Sequence, residues 1–145
     1  MSQQVIQNLN EQLANWNVLF VKLHNYHWNV TGRDFFTLHE KFEALYDVAK
    51  GYIDEVAERI LALGEVPVGT MKEILERATL SEATGRETSR EMVEAIVSDF
   101  KTIVSNGKAG IELAGEFGDE SSVDLLTQII VALEKEVWLL SAFLG

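Results

Sequence analysis

Through most of this chain apolar positions recur every three or four residues, the spacing of one face of an α-helix. Leu9, Leu13, Trp16, Phe20, Leu23 and His27 form the first such stripe, which predicts a helix from Gln4 to about Val30. Thr31-Gly32-Arg33-Asp34 breaks it, with Gly32 expected as the C-terminal cap. Leu38, Phe42, Leu45, Ala49, Tyr52, Val56, Ile60 and Leu63 predict a second helix from about Phe35 to Leu63. Gly64 closes it, and Pro67 prevents it from resuming. A short connector helix is expected at Met71 to Arg77, then a polar loop from Ser81 to Ser89. Met92, Ile96, Phe100, Ile103 and Ile111 predict a third long helix from about Arg90 to Ala114. Gly107 and Gly110 inside it cost about 1 kcal/mol each relative to alanine, so they imply a close helix contact. After a turn at Gly115 to Gly118, Ser121 with Asp124 reads as a capping-box start for a last helix reaching Phe143. The fold class is therefore all-α: one domain over residues 1–145, a four-helix bundle with a short helix in the crossover between the second and third long helices.

Composition narrows the chemistry. The 145 residues are 47% apolar and 24% charged, as in an ordinary globular domain. There is no cysteine, which excludes disulfides, zinc fingers, iron–sulfur clusters and thiol catalysis, and leaves nitrogen and oxygen as metal donors. The net charge of −11 opposes unspecific attraction to nucleic acid or anionic membrane and favours cations. Neither a signal peptide nor a membrane span is expected, so a cytoplasmic location is the default reading.

The second helix carries the candidate site. His39 and Glu43 are four residues apart, as are Asp54 and Glu58, so each pair can grip one metal from one helical face. All four fall on one stripe about 100° wide, directed away from the apolar stripe. Glu43 and Asp54 are nonetheless about 16 Å apart along the axis, whereas metal–ligand bonds are near ~2 Å. One subunit cannot bring both pairs to one ion, but two can. In an antiparallel crossing of two copies about a two-fold axis, His39 faces Glu58 and Glu43 faces Asp54 in the same register. Asp47 then faces Lys50, as an intersubunit ion pair near the axis. His27 flanks the same hairpin as His39 and joins the set. Imidazole with carboxylate suits iron(II), manganese or zinc better than magnesium or calcium. The competing reading of the acids is a solvated helix face. His24 has no acidic partner and carries no assigned role.

The runs His24-Asn-Tyr-His27-Trp28-Asn-Val30-Thr-Gly32, Phe35-Phe36-Thr-Leu38-His39-Glu40-Lys41 and Asp54-Glu55-Val56-Ala57-Glu58-Arg59 closely resemble the Dps family of ferritin-like proteins, over nearly the whole chain. The resemblance implies a hollow homododecamer with tetrahedral symmetry and ferroxidase sites shared between subunits. The family's ligands map onto His27, His39, Glu43, Asp54 and Glu58; position 43 is often aspartate in the family. The implied reaction is oxidation of iron(II), preferably by hydrogen peroxide, with storage of the ferric mineral. Trp28 is read either as an electron donor beside His27 or as an interface aromatic. Iron is expected to enter through three-fold pores lined by Glu120 and Asp124, within a stretch holding Glu116 and Asp119 as well. One pore acid of some relatives falls on Gly115. Acids there also suit the positive end of the last helix. The family name implies DNA binding, yet no lysine or arginine precedes Lys22 or follows Lys135, so weak or absent binding is expected. The alternative is a DNA-compacting structural protein in which iron chemistry is secondary.

Overall fold

The computed structural model describes residues 3–145, which form five helices. They are α1 (Gln3–Asn29), α2 (Phe35–Ala62), α3 (Met71–Arg77), α4 (Ser89–Glu116) and α5 (Glu120–Leu144). Among the described residues there is no strand, and no helix is long and apolar enough to cross a membrane.

The ends of the helices follow from local chemistry. At the end of α2, Gly64 adopts φ +88°, and the Gly64 and Glu65 amides donate to Leu61 and Ile60. This is a Schellman closure, and it matches the stop expected at Gly64. The same geometry ends α4 at Gly118, φ +70°, two residues later than expected. Thr88 and Glu91 form a reciprocal capping box that starts α4. Two expectations are corrected. Gly32 has φ +99° but lies beyond the end of α1, where its carbonyl accepts from the Phe35 amide and so begins the next helix. The cap of α5 is Asp119 rather than Ser121 with Asp124. Asp119 accepts from the Ser122 amide and also from Arg59, so one side chain satisfies a helix end and an ion pair together.

Side-chain partners fix the helix directions. Along α1, Asn8, Gln12 and Lys22 bond to Asn106, Ile103 and Asp99 in turn, so α1 and α4 are antiparallel. Lys41 with Glu136 and Arg59 with Ser122 make α2 and α5 antiparallel. Arg90 with Leu144 and Lys108 with Glu134 make α4 and α5 antiparallel as well, so α2 and α4 run parallel, as the long crossover between them allows. The core is built by the predicted stripes, with Trp16, Phe42, Phe100 and Ile60 fully buried. Each such side chain contributes about 1.5–3 kcal/mol when removed from water. Tyr52 is half-buried and packs on Trp16 at 5.0 Å.

α1 departs from a simple amphipathic pattern because it is covered on several sides. Asn8, Asn10, Gln12 and Asn15 are buried. Gln12 donates to the Ile103 carbonyl and to Asn106, while Asn15 and Asn10 hold the crossover at Thr79, Leu80 and Val68. The close approach of α4 explains its glycines. A Cβ on Gly107 would lie 3.2 Å from Ile130, and one on Gly110 would strike Asn8 and come within 2.8 Å of Leu126.

Candidate metal centre

His27 closes α1 and His39 opens α2, so the turn between them sets the rings side by side. They stack at 3.7 Å between centroids with 12° between planes. The Nδ1 of His27 lies 2.6 Å from the His39 carbonyl, and the Nδ1 of His39 lies 2.7 Å from the His27 carbonyl. A carbonyl only accepts, so both rings carry their proton on Nδ1. In the neutral form of each ring Nε2 then bears the lone pair, which is the form a metal-binding imidazole needs. Glu43, one turn beyond His39, places Oε1 3.7 Å from the His27 Nε2. His27 is buried, His39 half-buried and Glu43 exposed, so the group opens at the protein surface.

Asp54 and Glu58 stand further along the same helix and are both exposed. The Glu58 carboxyl is raised above its ordinary value, first by a hydrogen bond shared with Asp54 and then by the Asp54 charge. The Asp54 and Glu58 carboxyl groups thus lie within reach of each other. Asp47 and Lys50 are exposed between the two groups. Among the described residues, no three histidine, aspartate or glutamate side chains converge within one chain to hold a metal. The fold brings His27, His39 and Glu43 into one corner and leaves Asp54 and Glu58 apart from them on α2.

The aromatic surroundings differ from the simplest reading of the sequence. Trp28 follows His27 in the chain but is 69% exposed, and its ring lies beside His24 at 5.4 Å. Besides His39, α2 sets Tyr46 against His27, edge to face at 5.4 Å. His24 stacks on Tyr46 at 3.8 Å and meets the edge of Phe20 at 4.6 Å. Burial, then the charges of Glu43 and Asp47, push the Tyr46 hydroxyl up. His24 and Tyr46 were not assigned from the sequence. The available signal was the four-residue spacing of Phe20, His24 and Trp28, which continues the face that carries His27.

At the other end of the bundle, Glu120 and Asp124 are exposed on the first turns of α5, and Gln128 donates to Asp124. Asp119 does not join them. It is buried, and Arg59 at 2.7 Å engages its carboxylate. Burial alone would raise the Asp119 carboxyl, but its bonds to Ser122 and the charge of Arg59 hold it below the ordinary value. One of the four acids in this stretch is therefore structural.

Comparison with known proteins agrees with this architecture. A ferritin-like domain model matches residues 6–145. The chain is 54% identical to DNA protection during starvation protein 2 of Bacillus anthracis, covering 100% of this chain and 99% of that protein. The crystal structure of Dps from Staphylococcus aureus superposes with a TM-score of 0.97 at 44% identity, over 99% of this chain and 97% of that one. A Dps structure from Vibrio cholerae, described as a member of a broad superfamily of ferritin-like diiron-carboxylate proteins, matches with a TM-score of 0.95 at 38% identity, over 99% of this chain and 90% of that one. With the bundle, its crossover and its histidine–carboxylate corner in view, the chain belongs to the ferritin-like family, as one of its Dps proteins.

Proposed function

We propose that this protein is a ferroxidase and iron store, taking iron(II) as substrate at sites completed by two subunits. The carrying observation is the reciprocal lock of His27 and His39, which uses both Nδ1 atoms and leaves both Nε2 atoms clear of the backbone, with Glu43 beside that of His27. Three donors from one subunit need carboxylates from elsewhere. Asp54 and Glu58 are exposed and adjacent, at the positions that an antiparallel crossing of two subunits would set opposite Glu43 and His39. In that crossing Asp47 and Lys50 of the two subunits form ion pairs across the axis. The relative described as a ferritin-like diiron-carboxylate protein supports iron as the substrate.

With hydrogen peroxide as oxidant, two iron(II) ions give up one electron each. The peroxide O–O bond takes both electrons and two protons to form two waters. Ferric product is then held within a closed dodecamer of tetrahedral symmetry. Removing both reagents together prevents their one-electron reaction, which accounts for a protective role in a protein whose charge disfavours DNA. Trp28, exposed on the single subunit and beside His24, serves either as an electron donor next to His27 or as an interface aromatic.

Sharing of the site gives a direct test. His39→Ala and Asp54→Ala variants each lose rapid iron(II) oxidation. Assemblies containing both variants regain part of it, because some sites then draw intact ligands from each subunit. Full activity in either variant alone would remove the ligand assignment.

A further inference from the structure

We propose that Tyr46 and His24 are positioning residues for His27, holding its imidazole in place by ring packing and not by chemistry of their own. This rests on the reading of His27 as a ligand for the substrate metal. The histidine lock ties each ring to the backbone of the other's residue, but by itself it leaves the stacked pair free to tip as a unit. The structure blocks that motion at both ends. On the His39 side, Phe35 stacks at 4.9 Å with 21° between planes. On the His27 side, Tyr46 stands at 88° to the imidazole.

Tyr46 is in turn fixed by His24, whose ring is within 14° of parallel to it. His24 cannot spin freely, because its Nδ1–H donates to the Phe20 carbonyl at 2.7 Å, one turn back on α1. Phe20 and Trp28, one turn before and one turn after His24, flank it. The result is a continuous column of rings: Phe35, His39, His27, Tyr46, His24. Two of its members carry metal donors and the others set where those donors point. Edge-to-face and stacked ring pairs contribute about 0.5–1.5 kcal/mol each beyond the area they bury. Supporting residues of this kind alter metal affinity by about 10–100-fold when lost.

Cobalt(II) binding to the assembled protein separates this role from others, because it reads affinity and ligand geometry without turnover. Tyr46→Phe keeps the ring and is expected to bind cobalt within about twofold of the parent, with the same visible spectrum. Tyr46→Leu and His24→Leu are each expected to weaken binding by about tenfold or more, to shift the spectrum and to raise KM for iron(II) more than they lower kcat. Their assembly mass should be unchanged. If Tyr46→Leu does not assemble, His24→Leu alone decides the question. Unchanged affinity in the leucine variants overturns the proposal. Equal losses in Tyr46→Phe and Tyr46→Leu overturn it too, since the hydroxyl and not the ring would then matter. His39→Ala serves as the control. If it binds cobalt as the parent does, the ligand assignment fails and the positioning role fails with it; if only the control loses affinity, the positioning role fails alone.

Discussion

Gly107 and Gly110 occupy neighbouring turns of α4, yet they face different obstacles. A methyl group on Gly110 would meet the buried Asn8 amide, which is bonded to the Asn106 carbonyl, and also Leu126. Neither neighbour moves freely. On Gly107 the nearest atoms belong to the outer part of the Ile130 side chain at 3.2 Å, which gives by a few tenths of an ångström. Alanine also gains about 1 kcal/mol of helix propensity over glycine. Gly110→Ala should therefore destabilise by about 1–3 kcal/mol through overpacking, while Gly107→Ala stays close to the parent. Urea unfolding of the two variants at equal protein concentration checks this. Equal midpoints would show that α1 and α4 separate more easily than their packing indicates.

At the scale of elements, the crossover is attached to α1 by an apolar cluster, Ile74 against Ala14 and Val18, and by polar contacts that reach α1 and α4. Lys22 bonds to the Ser81 carbonyl and pairs with the buried Asp99, and the Tyr26 hydroxyl donates to Glu87 at 2.7 Å. Burial alone would raise the Glu87 carboxyl, but the bonds from Thr84 and Tyr26 outweigh it and hold it at about 2. A folded-state pKa below the unfolded value stabilises the fold fully above the ordinary carboxylate range. That stability is lost as the pH falls through about 2. Glu87→Gln should flatten the acid limb of the stability curve between roughly pH 4.5 and the folded value, and leave the neutral and basic limbs parallel to the parent. Denaturant midpoints measured across that window test it. An unchanged acid limb would mean that another carboxylate carries the acid sensitivity. Arg59 plays a comparable joining role, tying the end of α2 to the start of α5 through Asp119 and Ser122.

For the whole molecule, charge decides which partners approach. The chain carries −11, and no lysine or arginine precedes Lys22 or follows Lys135. At about 150 mM salt the screening length is near 8 Å, so a DNA contact would need a local basic patch or bridging cations. No shift in plasmid mobility is expected under those conditions without divalent cations; a retarded band would contradict this. The same charge favours cations, iron(II) among them in the proposed function. Three-fold repetition of Glu120 and Asp124 would make stacked carboxylate rings, which focus the field on an entering cation. With Asp119 engaged by Arg59 and glycine at position 115, a pore here would rest on Glu120 and Asp124 among the acids of this stretch. Glu120→Gln combined with Asp124→Asn should slow uptake at limiting iron(II) while saturated oxidation stays near the parent rate. An unchanged rate at limiting iron would move the route elsewhere.

Whatever depends on neighbours a few residues away was legible in the sequence. Helix positions, the stop at Gly64, the connector helix and the stripe of His39, Glu43, Asp54 and Glu58 all follow from the 3.6-residue period. The impossibility of joining the two ligand pairs within one chain follows from the same rise per residue. What the tertiary structure alone decided involves partners far apart in the chain. Asn8, Gln12 and Asn15 look like solvated positions, but they are buried because α4 and the crossover cover them, 64 residues away in the case of Asn15 and Thr79. Asp119 takes over the cap of α5 because Arg59 arrives from another helix. Tyr46 and His24 join the His27 site because the turn between α1 and α2 sets two stripes of rings against each other. A period in sequence states which residues share a face; which groups that face will meet is settled only when the helices pack.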